Sequence, residues 1–328
     1  MVEIPKRSFL KGAAGLGALI VTGSSPARSD ETWPVRPIKI VVPWPAGGVA
    51  DVAARIVADG IQSALGQPTI IDNRPGASGR IGTVAGARAT PDGYTLLWGT
   101  PSSLTLPVVI DKQPSFDPLQ DFRPVVQLFS STYFLTVNND LPIRNTSDLI
   151  AYARAHPGKL NYGSWGSGSA PHLISVMLAT AAKIEVVQVP YKGEGALVLD
   201  MISGRVDFGF VIDARPNVQA NKLRVLGTTS PEPWFTLPEA PPISQSIPGF
   251  KFLGWMGLLA PVGTPDAILA KLNNAVNQVL GTERMKQFMD LTGHLPIGGA
   301  AEALTRTVDE DLRTIRKIVA DAHLTFDQ

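Results

Sequence analysis

The run Ile38-Lys39-Ile40-Val41-Val42-Pro43 is β-branched and almost continuously apolar, the pattern of a strand buried on both faces. Pro45-Ala46-Gly47-Gly48 interrupts it. Over 51–65 the apolar spacing becomes helical, with Val52, Ile56, Val57, Ile61 and Leu65 on one stripe and Gly66 as the stop. Thr69-Ile70-Ile71-Asp72 predicts a second strand and 81–89 a second helix. A third strand at 94–98 follows the turn Pro91-Asp92-Gly93. Strand and helix in alternation predict a parallel sheet covered by helices.

A second block repeats the alternation. Phe134-Leu135-Thr136-Val137 predicts a strand, and Asn145 or Thr146 caps a helix carrying Leu149, Ile150 and Tyr152. Leu160-Asn161-Tyr162 is a short strand, followed by a Gly/Ser loop and a helix over 171–182. Further strands are expected at 186–189, 206–211 and 223–228, with a helix closing at 200–204. The end of the chain is mainly helical. Thr264-Pro265 has the form of an N-cap with proline in the first turn, ahead of a stripe of Ile268, Leu269, Leu272, Val276, Val279 and Leu280. A last helix over 301–322 turns Leu304, Val308, Leu312, Ile315 and Val319 inward.

The first residues read as an address rather than as fold. Lys6-Arg7-Ser8-Phe9-Leu10-Lys11, a Gly/Ala-rich apolar run over 12–21 and the small-x-small site Ser25-Pro26-Ala27 follow the order of a secretory leader cleaved near Ala27. The basic segment is similar to a twin-arginine signal with Lys in place of the first Arg, so the Tat and Sec routes both stay open. The apolar run is too short and glycine-rich for a membrane span. With 328 residues and 44 % apolar content the chain has material for two cored domains. A net charge of +1 without basic clusters argues against nucleic-acid binding. The absence of cysteine excludes disulfides, thiolate chemistry, Cys-ligated metals and a lipidated N-terminal cysteine.

Candidate chemistry lies in two strand-to-helix loops. The first is Pro45-Ala46-Gly47-Gly48-Val49-Ala50-Asp51; the second runs from Gly163 through Ser164, Trp165, Gly166, Ser167, Gly168 and Ser169 to His172. Such loops lie at the carboxyl ends of parallel strands, where unpaired amides and the helix dipole favour an anion without any Lys or Arg. Glycine permits close approach, and Ser164, Ser167 and Ser169 add hydroxyl donors. Two facing loops suit a small organic acid. Asp51 either caps its helix or receives a ligand donor. Trp44, Trp98, Trp165, Trp234 and Trp255 are core or cleft walls, Trp165 being placed best to touch a ligand. Neither loop contains a Walker lysine, a dinucleotide fingerprint or a hydrolase elbow. A Ser169–His172 dyad leaves a serine hydrolase as an alternative. His156, His172, His294 and His323 lack metal-ligand spacing, so neither metal nor cofactor is expected.

These residues bring a family into view. The segment from Trp33 to Gly48 resembles the opening of the tripartite tricarboxylate transporter receptors, the Bug family. So do Ile71-Asp72-Asn73-Arg74-Pro75-Gly76-Ala77, Pro91-Asp92-Gly93-Tyr94-Thr95-Leu96, Leu160-Asn161-Tyr162-Gly163-Ser164, Val189-Pro190-Tyr191-Lys192-Gly193, Lys222-Leu223-Arg224 and Gly257-Leu258-Leu259-Ala260-Pro261. The resemblance implies an α/β, two-lobed periplasmic-binding-protein (Venus-flytrap, type II-like) fold with a mainly parallel sheet in each lobe. It implies a leader over 1–29, a first lobe from 34–132 plus 226–328, and a second from 133–225. The ligand, a small mono- or dicarboxylate, would sit between lobes and pass to membrane permease subunits. A monomer is expected. A solute sensor serving a signalling partner stays open as an alternative. Ala46, Gly47, Gly48 and the 164–169 loop carry over as ligand contacts. Thr100, after the third strand, and Asp213 complete the expected set. The sequence departs from the family where Phe-Asp often ends the strand near Phe210: Val211 follows here, and Asp213 comes two later.

Overall fold

A computed structural model describes residues 33–321. The expected leader, its Ala27 cleavage site, and Ala322 and His323 lie outside the described residues. The strands are β1 (Ile38–Val42), β2 (Thr69–Asn73), β3 (Thr95–Gly99), β4 (Phe122–Ser131), β5 (Phe134–Asn138), β6 (Asn161–Ser164), β7 (Val187–Pro190), β8 (Phe208–Val211), β9 (Leu223–Thr228), β10 (Gly254–Pro261) and β11 (Leu295–Pro296). The helices are α1 (Val49–Leu65), α2 (Arg80–Ala87), α3 (Leu106–Ile110), α4 (Thr146–Ala155), α5 (Ala170–Ala182), α6 (Glu194–Ile202), α7 (Arg215–Gln219), α8 (Asp266–Leu280), α9 (Glu283–Thr292) and α10 (Glu302–Asp321).

Two sheets organise the chain. The first has the order β11-β4-β10-β3-β1-β2 and the second β7-β6-β8-β5-β9. Each contains a block of three parallel strands, β2-β1-β3 and β7-β6-β8. Antiparallel strands join these blocks where the chain passes between sheets: β10 against β3 and β4, and β5 against β8 and β9. The carboxyl ends of a parallel block share one edge of a sheet. The loops after β1, β2 and β3 therefore gather on one edge, and those after β6, β7 and β8 on the other.

The sequence pattern does not reveal β4 and β10. Pro124 interrupts β4, and β10 is Gly-Trp-Met-Gly-Leu-Leu-Ala-Pro, poor in β-branched residues. Both are held by burial between neighbours, so tertiary packing overrides local preference. The return to the first lobe, expected at Leu226, falls inside β9, whose pairing with β5 continues through Thr228. The chain re-enters the first sheet at Gly254. Phe250 and Phe252 still pack in the core of the second. At the crossings, Thr132 Oγ1 lies 2.7 Å from Thr228 Oγ1 and 3.1 Å from Thr229 Oγ1, which ties the two passing segments together.

Helices α1, α8 and α9 cover one face of the first sheet. Val52 is 41 % exposed, contrary to the expected stripe, and Ala53, Ala54, Val57, Ala58 and Ile61 form the inward face instead. Small residues let α1 lie close to α8. The carbon that would be added at Gly60 comes within 2.0 Å of Val279 Cγ2. Thr264 is not the cap of α8: its hydroxyl donates to Pro261 O at 2.8 Å, and the helix starts at Asp266. Helix α10 buries Leu304, Val308 and Leu312 against the first sheet and Ile315 in the core of the second.

Gly60→Ala, which in an exposed helix gains about 1 kcal/mol, is expected here to cost about 1–3 kcal/mol through overpacking against a β-branched neighbour. Urea unfolding of the two proteins checks the sign.

Candidate functional site

The β1–α1 loop is pinned by one carboxylate. Asp51, 2 % exposed, accepts from Gly47 N at 2.9 Å, Asn73 Nδ2 at 2.9 Å, Arg55 Nε at 2.9 Å and Arg55 Nη2 at 3.0 Å. Burial works to raise its pKa, but these hydrogen bonds and the Arg55 charge together hold it below the ordinary carboxylate value. Its acceptor capacity is spent inside the protein, so it shapes the loop and is not a free ligand acceptor. Gly47 has φ +81°, the left-handed region, and its amide is likewise taken by Asp51. Gly48 caps α1 in extended geometry, and Ala46 and Gly48 are exposed. Among the described residues, the amides of Gly48, Val49 and Ala50 have no hydrogen-bond partner. They form the start of α1, where the helix dipole adds positive potential. The arginines beside these loops are paired: Arg55 with Asp51, Arg74 with Asp72 and Arg80 with Asp111.

The second loop is closed differently. Ser164 is fully buried, and its Oγ accepts from Gln188 Nε2 at 2.8 Å and Gly166 N at 3.3 Å. Ser169 caps α5 by position, but its hydroxyl donates to Gly166 O at 2.7 Å. His172 Nδ1 accepts from Gly168 N at 3.0 Å, and burial lowers the pKa of the ring. The Ser169 proton is thus committed to a carbonyl and the His172 acceptor to an amide, which removes the dyad read from their spacing. The Ala170 amide at the start of α5 is also occupied, by Ser102 Oγ at 2.9 Å from the other lobe. What this loop leaves unpartnered, among the described residues, are the amides of Trp165 and Ser167 and the buried indole N–H of Trp165.

The two loops meet. The Trp44 and Trp165 rings stand edge-on at 6.3 Å, and Trp165 also touches Tyr133 at 5.9 Å. Ser78 Oγ donates to Ser167 O at 2.8 Å across the lobes. Ser78 belongs to a run of four left-handed residues, Gly76 to Gly79, in which Ala77 and Ser78 at φ +47° and +54° are unfavourable for side chains. The carbon that would be added at Gly168 comes within 2.5 Å of Ile110 Cδ1, so glycine is needed there for the lobes to approach. Thr100 is tied to Ser103 in a reciprocal cap at the foot of the β3 loop. Trp98, Trp234 and Trp255 are core residues; Trp44 and Trp165 alone of the five lie half-buried at the loops.

Asp213 follows β8 on the edge shared with the 164–169 loop. Its amide donates to Glu194 Oε1 at 2.8 Å, and the Ile212 amide reaches both Glu194 oxygens at 3.1 Å. Burial pushes Glu194 up to about 7, against the pull of those amides and with help from the neighbouring Asp213 charge. Burial also raises Asp213, partly offset by Arg215. Sequence reading missed Ser78, Ser102, Tyr133 and Glu194. Ser78 and Ser102 were within reach, since both sit in loops after parallel strands; Tyr133 and Glu194 carry no local signal.

Two α/β lobes with strand-end loops converging between them define a two-lobed solute-binding protein. The comparisons agree. Residues 53–324 match the tripartite tricarboxylate transporter family receptor, and the chain belongs to that family. It is 34 % identical over 332 residues to the UPF0065 protein in the tcbD-tcbE intergenic region of Pseudomonas sp. strain P51, covering 100 % of this chain and 98 % of that one. It is 33 % identical to BugT of Bordetella pertussis over 290 residues, 87 % of this chain and 89 % of BugT. Among solved structures, an R. palustris protein with adipate superposes at a TM-score of 0.83 with 33 % identity, covering 89 % of this chain and 99 % of that one. MatC from Rhodopseudomonas palustris with bound malate gives 0.82 with 29 % identity, covering 88 % of this chain and 100 % of MatC. The family and these neighbours are solute-binding receptors, not enzymes.

Glu194 gives a pH test. Its folded pKa, about 7, lies above the ordinary 4.5, so between those values the folded state holds a proton that the unfolded chain has released. Stability should fall as pH rises through that window. Glu194→Gln should flatten this part of the profile, which urea unfolding at pH steps reads directly.

Proposed function

We propose that the protein is a periplasmic receptor that captures a small mono- or dicarboxylate between its lobes and delivers it to the membrane subunits of a tripartite transporter. It does so as a monomer freed by cleavage near Ala27. The observation that carries the reading is the set of unpartnered amides at Gly48, Val49 and Ala50, set against the Trp165 and Ser167 amides of the facing lobe. With the nearby arginines held in ion pairs, main-chain amides, the Trp165 indole N–H and a helix dipole are donors available to an anion. Enclosure between lobes removes competing water and strengthens each of these bonds. Adipate and malate in the neighbouring structures support a carboxylate as cargo. Ala46 and Gly47 then serve by keeping the approach open, while Thr100, Ser164, Gly166, Gly168, Ser169 and His172 hold the loop geometry.

Gly48 offers the sharpest test. Its φ of −78° accepts a side chain, and an added carbon meets only Pro45 O at an ordinary 3.5 Å. Gly48→Val should leave the unliganded melting temperature nearly unchanged. It should remove the rise that carboxylates produce in the mature wild-type protein, which corresponds to about 3 kcal/mol of added stability at a hundredfold excess over Kd. A variant that still responds to the acid would place the anion elsewhere.

A further inference from the structure

Three polar groups at the second lobe's loop edge lack the partners that groups so enclosed ordinarily have. Tyr133, 2 % exposed, sits on the crossing between β4 and β5, and its hydroxyl has no hydrogen-bond partner among the described residues. Its ring touches Trp165 of the second-lobe loop at 5.9 Å and Phe252, on the segment returning to the first sheet, at 5.8 Å. The Trp165 indole N–H, beside the Tyr133 ring, is buried without an acceptor. The Asp213 carboxylate is half-buried and accepts no hydrogen bond from any described residue. Arg215, two residues on, acts on Asp213 through its charge but donates its hydrogen bonds to the carbonyl oxygens of Asp290 at 2.6 Å and Leu291 at 3.4 Å. Glu194 holds the Ile212 and Asp213 amides and so fixes the loop that presents Asp213.

We infer that the cargo is an acid carrying a hydrogen-bond donor, an ammonium or hydroxyl group, at the end remote from its carboxylate, and that Asp213 is the residue that selects it. This rests on the carboxylate reading above and narrows it. The groups offered at the strand-end loops are of opposite character. The α1 amides and the Trp165 indole are donors and ask for an acceptor. Asp213 is an acceptor and asks for a donor. A second carboxylate on the cargo would meet Asp213 as a like charge, and a methyl end would displace water from it without giving it a hydrogen-bond donor. A site built to hydrogen-bond a donor discriminates strongly against an analogue lacking it, because its own polar group is then stranded. The Tyr133 hydroxyl can donate or accept, so it serves whichever donor is present.

The test uses the mature protein and two matched series: butyrate, succinate, γ-hydroxybutyrate and γ-aminobutyrate; hexanoate, adipate, ε-hydroxyhexanoate and ε-aminohexanoate. In calorimetry, the amino or hydroxy member of at least one series should bind about tenfold or more tighter than its plain and dicarboxylate partners, the gap a charge-assisted bond supplies. The comparison of amino with hydroxy members identifies which donor is favoured. Asp213→Asn, nearly isosteric, should shrink that gap and raise the affinity of succinate or adipate. Tighter binding of the plain acid or the dicarboxylate by wild type would overturn the inference while leaving the receptor reading intact, without need of any variant. An unchanged ranking in Asp213→Asn would overturn the role of Asp213. Failure of every acid in both series to bind would remove the receptor reading and the inference with it.

Discussion

One buried carboxylate sets the geometry on which the site depends. Asp51 gathers the Gly47 amide, the Asn73 amide group and the Arg55 guanidinium, and by doing so turns the chain sharply out of β1 and into α1. Four accepted hydrogen bonds keep it ionised in a position that burial would otherwise make costly. Because it satisfies Gly47 and neutralises Arg55, it leaves the next amides along the chain as the exposed donors. The charge complement proposed for an anion is thus made by backbone and held in place by an acid, with the neighbouring arginines drawn into ion pairs.

The facing lobe contributes in another way. The start of α5 would be a second anion seat by its dipole, but Ser102 reaches over from the first lobe and occupies the Ala170 amide. His172 takes the Gly168 amide and Ser169 turns back on Gly166. These bonds convert a flexible Gly/Ser loop into a fixed wall that carries Trp165. The interlobe contacts of Ser78 and Ser102 are made by small hydroxyls, which lets the backbones of the two lobes come close.

Much of this was legible from residues alone, and the limits have physical causes. Strand-to-helix junctions at Gly48 and Ser169 stand out because glycine and serine mark a change of hydrophobic period. The Asn145 cap accepts from Asp148 N at 2.8 Å as its residue type suggests. Strands β4 and β10 were hidden because their stability comes from neighbours on both sides rather than from their own composition. Val52 fell on the wrong side of α1 because alanines, silent in an apolar count, define the face that packs. The roles of Asp51 and His172 depended on which hydrogen bonds form around them, which spacing does not encode. Glu194 and Tyr133 became visible only when chain crossings brought distant segments to one edge.

Helix α10 lies across both halves of the molecule: Leu304, Val308 and Leu312 bed on one core and Ile315 on the other. A stiff rod cannot follow two bodies that swing apart. Any widening of the gap between them must therefore slide part of this helix over its bed, exchanging one set of side-chain interlocks for the next. Such shear has preferred resting places rather than a continuum, since close-packed surfaces resist intermediate positions. Were the lobes to part, α10 would act as a mechanical detent that favours a small number of stops.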